Sequence, residues 1–362
     1  MIKYFLFFIL FFSYSQNYPI LVNSNNFTKY EDTYPNVYKL WIATNKLSEN
    51  YKNEIFTNVG DYKILNSEIT KFKLLDFYYF LKNANKLRLE SIESLNNNFY
   101  RIKLSSYDFD GNIIEIYNLI ATFQNETPVF ISNIDFIYKE LKKIDYKKIV
   151  YYTKEFDEKN AKIFCEKIDY FNNFYELKLD TIKYFKFKSN WELYDFKGFD
   201  YIRDKFINNN SSVCIPEENV IFSGNNSEVN VHELIHIYNV KKFNRVNNIL
   251  DEGLATYFGG SLGLTLNEHL IILKKHIGLK KIDFYNQLFN GNYVINNTTS
   301  LKYTLGGLIC KIVLEKYGKD KLFELLTSGT ENDEIVSKLE TILKIKRIDF
   351  NNYILNYINK IE

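Results

Sequence analysis

Residues 227–238 read Ser227-Glu228-Val229-Asn230-Val231-His232-Glu233-Leu234-Ile235-His236-Ile237-Tyr238. Val231, Leu234, Ile235 and Tyr238 recur at helical spacing, and no proline interrupts them. The pattern predicts a helix with Ser227 as its N-cap and Glu228 in its first turn. Residues four apart on a helix lie one above the other, so His232 and His236 project the same way. Two imidazoles at that separation can hold one metal ion. Glu233 flanks the pair, where a carboxylate reaches a metal-activated water as general base. The ordinary alternative is an amphipathic helix with two surface histidines. The chain has only four histidines, however, and two of them stand here.

Working outward, nearly everything after Ser227 carries helical spacing. Before it, residues 149–153, 181–187 and 219–223 read as strands, residues 158–177 as a long amphipathic helix, and 190–196 as a short one. Strands first and helices after is the α+β signature. Near Ile144 the pattern changes. Over residues 68–95 the positions of Phe72, Leu75, Tyr79, Leu87 and Ile92 suggest helical stretches. Residues 100–107, 113–123 and 127–131 then read as strands. Between the first two of these, Asp108-Phe109-Asp110-Gly111-Asn112 suits a tight hairpin turn. It also echoes a calcium loop, but lacks the third carboxylate position and the distal glutamate. The expected organisation is a small α+β module with an antiparallel sheet over 16–144, followed by a second domain over 145–362.

Met1-Ile2-Lys3, the apolar run 4–12 and Ser13-Tyr14-Ser15 have the layout of a signal peptide over residues 1–15, with Gln16 as the mature start. The expectation is export, to a periplasm or outside the cell. The run is shorter than the ~20 residues a spanning helix needs, so no stable membrane insertion is expected after cleavage. The net charge of +2 comes from interleaved lysines and acids. No basic block tracks a phosphate backbone, and nucleic acid is not an expected partner. Cys165, Cys214 and Cys310 show no CxxC spacing, so a cysteine zinc site is not expected. A Cys165–Cys214 disulfide stays open, with Cys310 read as a buried thiol. His269 and His276, seven apart on an expected helix, read as solvated surface histidines.

Fifteen residues (237–251) after His236 comes Glu252, within Leu250-Asp251-Glu252-Gly253-Leu254-Ala255-Thr256-Tyr257. Here the sequence resembles the gluzincin zinc metallopeptidases, in which a second helix opening with a similar Glu-Gly-x-Ala-x-Tyr stretch supplies a glutamate ligand. Tyr303-Thr304-Leu305-Gly306-Gly307-Leu308-Ile309 and the later Leu314-Glu315-Lys316-Tyr317-Gly318 look like the peptidase-MA-like subgroup. The resemblance spans roughly residues 144–326. It implies a zincin-like domain with a mixed sheet, an active-site helix and a helical C-terminal half. It further implies one Zn2+ per chain held by His232, His236 and Glu252, with the fourth tetrahedral position open to water. Asp251 is a rival to Glu252 as ligand, or a partner to a ligand histidine. Glu233 becomes the general base, and Tyr303 the candidate for stabilising the oxyanion. The implied substrate is a peptide or protein. The Gly-x-Met-Glu-Asn strand of the aminopeptidase branch is absent, because the only methionine is Met1, which argues for endopeptidase action. The competing reading is a non-catalytic zinc-binding scaffold or binding protein, in which the N-terminal module recognises a partner.

Overall fold

The structure, a computed structural model, describes residues 35–52, 62–70, 74–95, 98–203, 211–279 and 281–361. The expected signal peptide over 1–15, the start at Gln16 and Phe72 all lie outside the described residues. In chain order, α1 (Pro35–Lys52), β1 (Lys63–Ile64) and α2 (Leu75–Asn83) precede four strands: β2 (Lys86–Ser94), β3 (Tyr100–Tyr107), β4 (Ile113–Gln124) and β5 (Thr127–Ile131). Next come α3 (Asn133–Ile137), β6 (Lys142–Tyr146), β7 (Ile149–Thr153), α4 (Glu158–Tyr175), β8 (Ile182–Lys186), α5 (Asn190–Lys197) and β9 (Phe199–Ile202). After β10 (Ser212–Ile215) and β11 (Val220–Ser223) follow α6 (Val231–Phe243), α7 (Asn248–Gly259), α8 (Leu266–Ile277) and α9 (Phe284–Phe289). The two-residue strands β12 (Val294–Ile295) and β13 (Thr299–Ser300) lead into α10 (Leu301–Tyr317), α11 (Lys319–Leu326), α12 (Asn332–Leu343) and α13 (Phe350–Asn359). The mixture of helices with several sheets is compatible with an α+β class. Among the described residues no helix is long and apolar enough to cross a membrane.

The chain divides into two compact units, one of residues 1–142 and 190–209, the other of 143–189 and 210–362. In the first, the path β1-β5-β4-β3-β2 forms a sheet, and β9 joins it by pairing with β4. The boundaries 16–144 and 145–362 leave residues 190–209 in the second unit. The structure groups the described part of that stretch, residues 190–203, with the first, because the Glu115–Tyr117 stretch of β4 takes β9 as its antiparallel neighbour. Two polar contacts seal this return. Lys197 meets the buried Asp76 at 2.9 Å, and Asn118 donates to Asp200 at 2.6 Å. The core beneath the sheet is built from Phe77, Phe80, Leu104, Tyr117, Phe130 and Phe199.

Residues 68–95 are helical only over α2. Leu87 and Ile92 instead sit in β2, whose start alternates exposed and buried as a half-buried strand does. The turn at 108–112 is a hairpin held by main-chain bonds between Asp108 and both Gly111 and Asn112. The Asp108 carboxylate takes the Asn112 amide at 2.8 Å and Arg203 at 2.9 Å. Those two donors, the amide first, hold its pKa down at about 2. The carboxylate serves the turn and a cation already in the chain.

The second unit carries a five-stranded sheet in the order β10-β11-β8-β7-β6. Strands β7, β8 and β11 run parallel, and β10 is an antiparallel edge. Helix α4 starts at the cap Asp157 and buries Ala161, Phe164, Cys165, Ile168, Phe171 and Tyr175, one apolar stripe at helical spacing. Around it, helices α6 to α13 close a single core.

His269 is not a surface histidine. It is wholly buried, with Nδ1 3.0 Å from Thr299 Oγ1 and Nε2 2.9 Å from Ser261 Oγ. His276 is half-buried and meets the Tyr293 hydroxyl at 3.0 Å. The spacing of seven put both on one helix, but the turn 261–264 and β13 cover only the first. Burial is the larger influence and lowers the His269 pKa; the Ser261 carbonyl and Glu268 oppose it. The folded protein therefore keeps a neutral imidazole where the unfolded chain, with its ordinary pKa near ~6.5, takes up a proton. Stability from this group is fully present above that value and is lost as pH falls below it. Urea denaturation at several pH values is expected to show wild type losing stability relative to His269→Gln as pH drops from about 7.5 to 5. A constant difference between the two curves would contradict this.

Candidate metal centre

Asn230, and not Ser227, caps α6. Its side-chain oxygen accepts from the Glu233 amide at 3.2 Å, while its NH2 donates to Ser212 Oγ at 2.7 Å and Ser223 Oγ at 3.2 Å. One residue thus fixes the helix start and ties it to strands β10 and β11. Ser227 closes a small turn instead, accepting from the Val229 amide at 3.1 Å. Glu228 lies outside the helix. It is buried against Lys186 at 2.5 Å and accepts the Asp157 amide at 2.9 Å. The helix is enclosed on most sides: Glu233 to Asn239 are all buried.

Helix α7 starts at Asn247, whose side chain accepts from the Ile249 amide at 2.8 Å. Two close approaches set where it lies. A Cβ on Gly259 would stand 2.3 Å from the His232 amide nitrogen, so at this point α7 touches the backbone of α6. A Cβ on Gly253 would stand 2.4 Å from the Gly306 carbonyl carbon, so α10 reaches the backbone of α7 as well. Only residues without a side chain allow contacts this short.

The consequence is convergence. His232 Nε2 and His236 Nε2 stand 3.3 and 3.8 Å from one oxygen of Glu252, Oε2. One ligand atom from each of His232, His236 and Glu252 falls within 4.8 Å of the others. Each imidazole is oriented from behind. His232 Nδ1 lies 2.7 Å from the Gly260 carbonyl, which only accepts, so that nitrogen carries a proton and Nε2 is the ring atom turned toward Glu252. His236 Nδ1 lies 2.8 Å from Asp251 Oδ2. Asp251 therefore sits behind His236, and Glu252 is the carboxylate that faces both imidazoles. Ligands ~2.0–2.2 Å from a tetrahedral zinc stand about 3.3–3.6 Å apart. The His232–Glu252 separation lies in that range and the His236–Glu252 separation is wider, so the three are a set that could hold a metal ion.

The charges fit as well. Burial opposes a charged His236, but the Asp251 hydrogen bond and the charges of Asp251, Glu233 and Glu252 outweigh it and push the pKa up to about 9. Burial alone would raise Glu252. The bond from His232 and the two imidazoles prevail and hold it below the usual carboxylate range. Without metal, then, the cluster attracts positive charge.

Glu233 is buried beside the triad and is not one of its three converging ligands. The thiol of Cys214, on the edge strand β10, lies beside it, and burial followed by the Glu233 charge pushes the thiol pKa well up. Sequence reasoning missed this contact, since nothing local links residues 214 and 233. The open Cys165–Cys214 disulfide is not formed: all three cysteines are thiols. Cys165 packs in α4, and Cys310 is buried with its thiol 3.8 Å from the Leu250 carbonyl. Tyr303, half-buried in the first turn of α10, brings its hydroxyl to the Glu252 carboxylate; burial and that carboxylate keep the phenol protonated. All five residues singled out from sequence, His232, Glu233, His236, Glu252 and Tyr303, are gathered at one place.

No family model matches this chain, and no curated protein or solved structure matches it.

Gly259→Ala puts a methyl against main chain that cannot move aside, unlike the far end of a flexible side chain. It is expected to destabilise the metal-free protein by about 1–3 kcal/mol and to weaken zinc binding by displacing His232 from Glu252. Gly278→Ala is the control, since its methyl would meet nothing closer than 3.4 Å. Thermal unfolding with and without zinc measures both effects. Equal zinc-dependent stabilisation in the two variants would show that the α6–α7 contact does not set the ligand geometry.

Proposed function

We propose that this chain is an exported zinc-dependent metallopeptidase whose second unit is a zincin-like domain of the gluzincin kind. The observation that carries this reading is the meeting of His232, His236 and Glu252 from two helices, with a hydrogen-bond acceptor behind each imidazole. Three protein ligands leave one tetrahedral position open, which distinguishes catalytic from structural zinc sites. A zinc ion held there would act as a Lewis acid toward a carbonyl and lower the pKa of a water towards ~7.

The chain's own residues supply the proton traffic. Glu233 takes a proton from the attacking water and delivers it to the departing amine, a role that needs a carboxylate near the metal but not on it. The Tyr303 hydroxyl, already beside Glu252, is a donor for the negative oxygen that develops on the attacked carbonyl. The substrate in this proposal is a peptide or protein cleaved internally, with one Zn2+ per chain. The exported location rests on the signal-like pattern of residues 1–15.

Metal analysis of residues 16–362 is expected to find about one zinc per chain, lost in His236→Ala. Glu233→Gln should keep the zinc and lose at least about 100-fold in the hydrolysis of a fluorogenic peptide. A Glu233→Gln protein that cleaves at the wild-type rate would remove this residue from the mechanism. Absence of zinc from wild type, even when supplied, would remove the metallopeptidase reading itself.

A further inference from the structure

The carboxylate behind His236 is not the end of the hydrogen bonds that lead away from the site. Asp251 gives Oδ2 to His236 Nδ1 and accepts at Oδ1 from Asn239 Nδ2, 2.6 Å away. Among the described residues these are the two hydrogen bonds its side chain accepts. Asn239 sits on α6 one turn beyond His236 and is wholly buried. Its own Oδ1 accepts from the Tyr175 hydroxyl at 2.8 Å. Tyr175 is the last residue of α4, is also wholly buried, and stacks on Tyr238 with ring centroids 4.9 Å apart at 15°.

This arrangement has a direction. A carboxylate only accepts, so Asn239 must turn its NH2 toward Asp251 and its carbonyl toward Tyr175. The tyrosine hydroxyl then donates to that carbonyl. Turned the other way, the amide would set its oxygen against the Asp251 carboxylate, acceptor against acceptor. Burial, with the Asp251 charge behind it, keeps the phenol of Tyr175 protonated and able to donate. The helix neighbours of Asn239 at Leu234, Ile235 and Ile237 belong to the apolar core. A wholly buried amide is costly unless its hydrogen bonds are made. Packing therefore gives no reason for an asparagine here, and the hydrogen bonds give one.

We propose that Asn239 and Tyr175 are positioning residues for the metal centre, holding Asp251 so that His236 presents Nε2 to the ion. Metal affinity thereby becomes dependent on the docking of α4, which carries no ligand, against α6, which carries two. The proposal rests on reading His232, His236 and Glu252 as a metal site, and the test separates the two.

Asn239→Leu removes both bonds, and Tyr175→Phe removes one while keeping the stacked ring. Zinc affinity is measured by competition with a chromophoric chelator, the visible spectrum is recorded with Co2+ in place of zinc, and thermal unfolding of the metal-free proteins monitors the fold. Asn239→Leu is expected to lose roughly 10–100-fold in zinc affinity, the range for partners that orient ligands. Tyr175→Phe should show the same change in smaller degree. Both should alter the cobalt spectrum. If Asn239→Leu fails to fold, Tyr175→Phe decides. Variants that bind zinc as tightly as wild type with an unchanged cobalt spectrum would overturn the proposal and leave the metal site standing; so would lower metal-free stability at unchanged affinity. Wild type that binds neither zinc nor cobalt would overturn the metal-site reading and this proposal with it.

Discussion

The meeting of His232, His236 and Glu252 depends on two helices that approach so closely that a Cβ at the contact would strike main chain. Packed helices usually keep their axes 8–10 Å apart, a distance set by the residues at the contact. Here α7 touches the backbone of α6 where Gly259 faces His232, and is backed by α10 where Gly253 faces Gly306. The carboxylate of Glu252 therefore reaches the imidazoles of the neighbouring helix directly. The same clamp brings in Tyr303, because the turn of α10 that carries it lies one turn from the Gly306 contact. Loss of either approach would leave all the side chains in the sequence and none of the convergence.

Such a cluster places acids and imidazoles in a largely buried region, where an uncompensated charge is costly. The structure offsets this by pairing. His236 is driven toward the imidazolium by three carboxylates, and Glu252 is held ionised by the two imidazoles. Around the site every element contributes a polar anchor. Asn230 joins the helix start to Ser212 and Ser223, Glu228 takes Lys186, and the Gly260 carbonyl orients His232. These bonds replace water for groups that the apolar core would otherwise leave unsatisfied.

Much of the first unit was legible from residue alternation. Strand β3 has the bounds that alternation predicts, β5 those expected of a strand following a turn, and the Asp-Gly pair marks the hairpin between β3 and β4. The first strand, β2, was hidden because Leu87 and Ile92 also satisfy a helical spacing; β3 beside it settles the matter. Helix α1 was not read at all. Residues 190–209 were assigned to the wrong unit because a four-residue strand has no signal for its partner, and β9 finds β4 across more than 80 positions.

By itself, the sequence determined the parts of the site that lie within one helix. His232, Glu233 and His236 share a face because of the helical repeat, and the Asp251-Glu252 pair follows at the opening of the next helix, a local pattern. Tertiary structure decided everything that required two distant segments to touch. It chose Glu252 over Asp251 as the group facing the imidazoles and turned Asp251 toward His236. It moved the cap from Ser227 to Asn230, buried His269, and set Cys214 beside Glu233 and Tyr175 beside Asn239. The physical reason is the range of the forces involved. Periodicity and capping act over three or four residues along the chain, whereas a hydrogen bond between residues 175 and 239 exists only after α4 and α6 have packed.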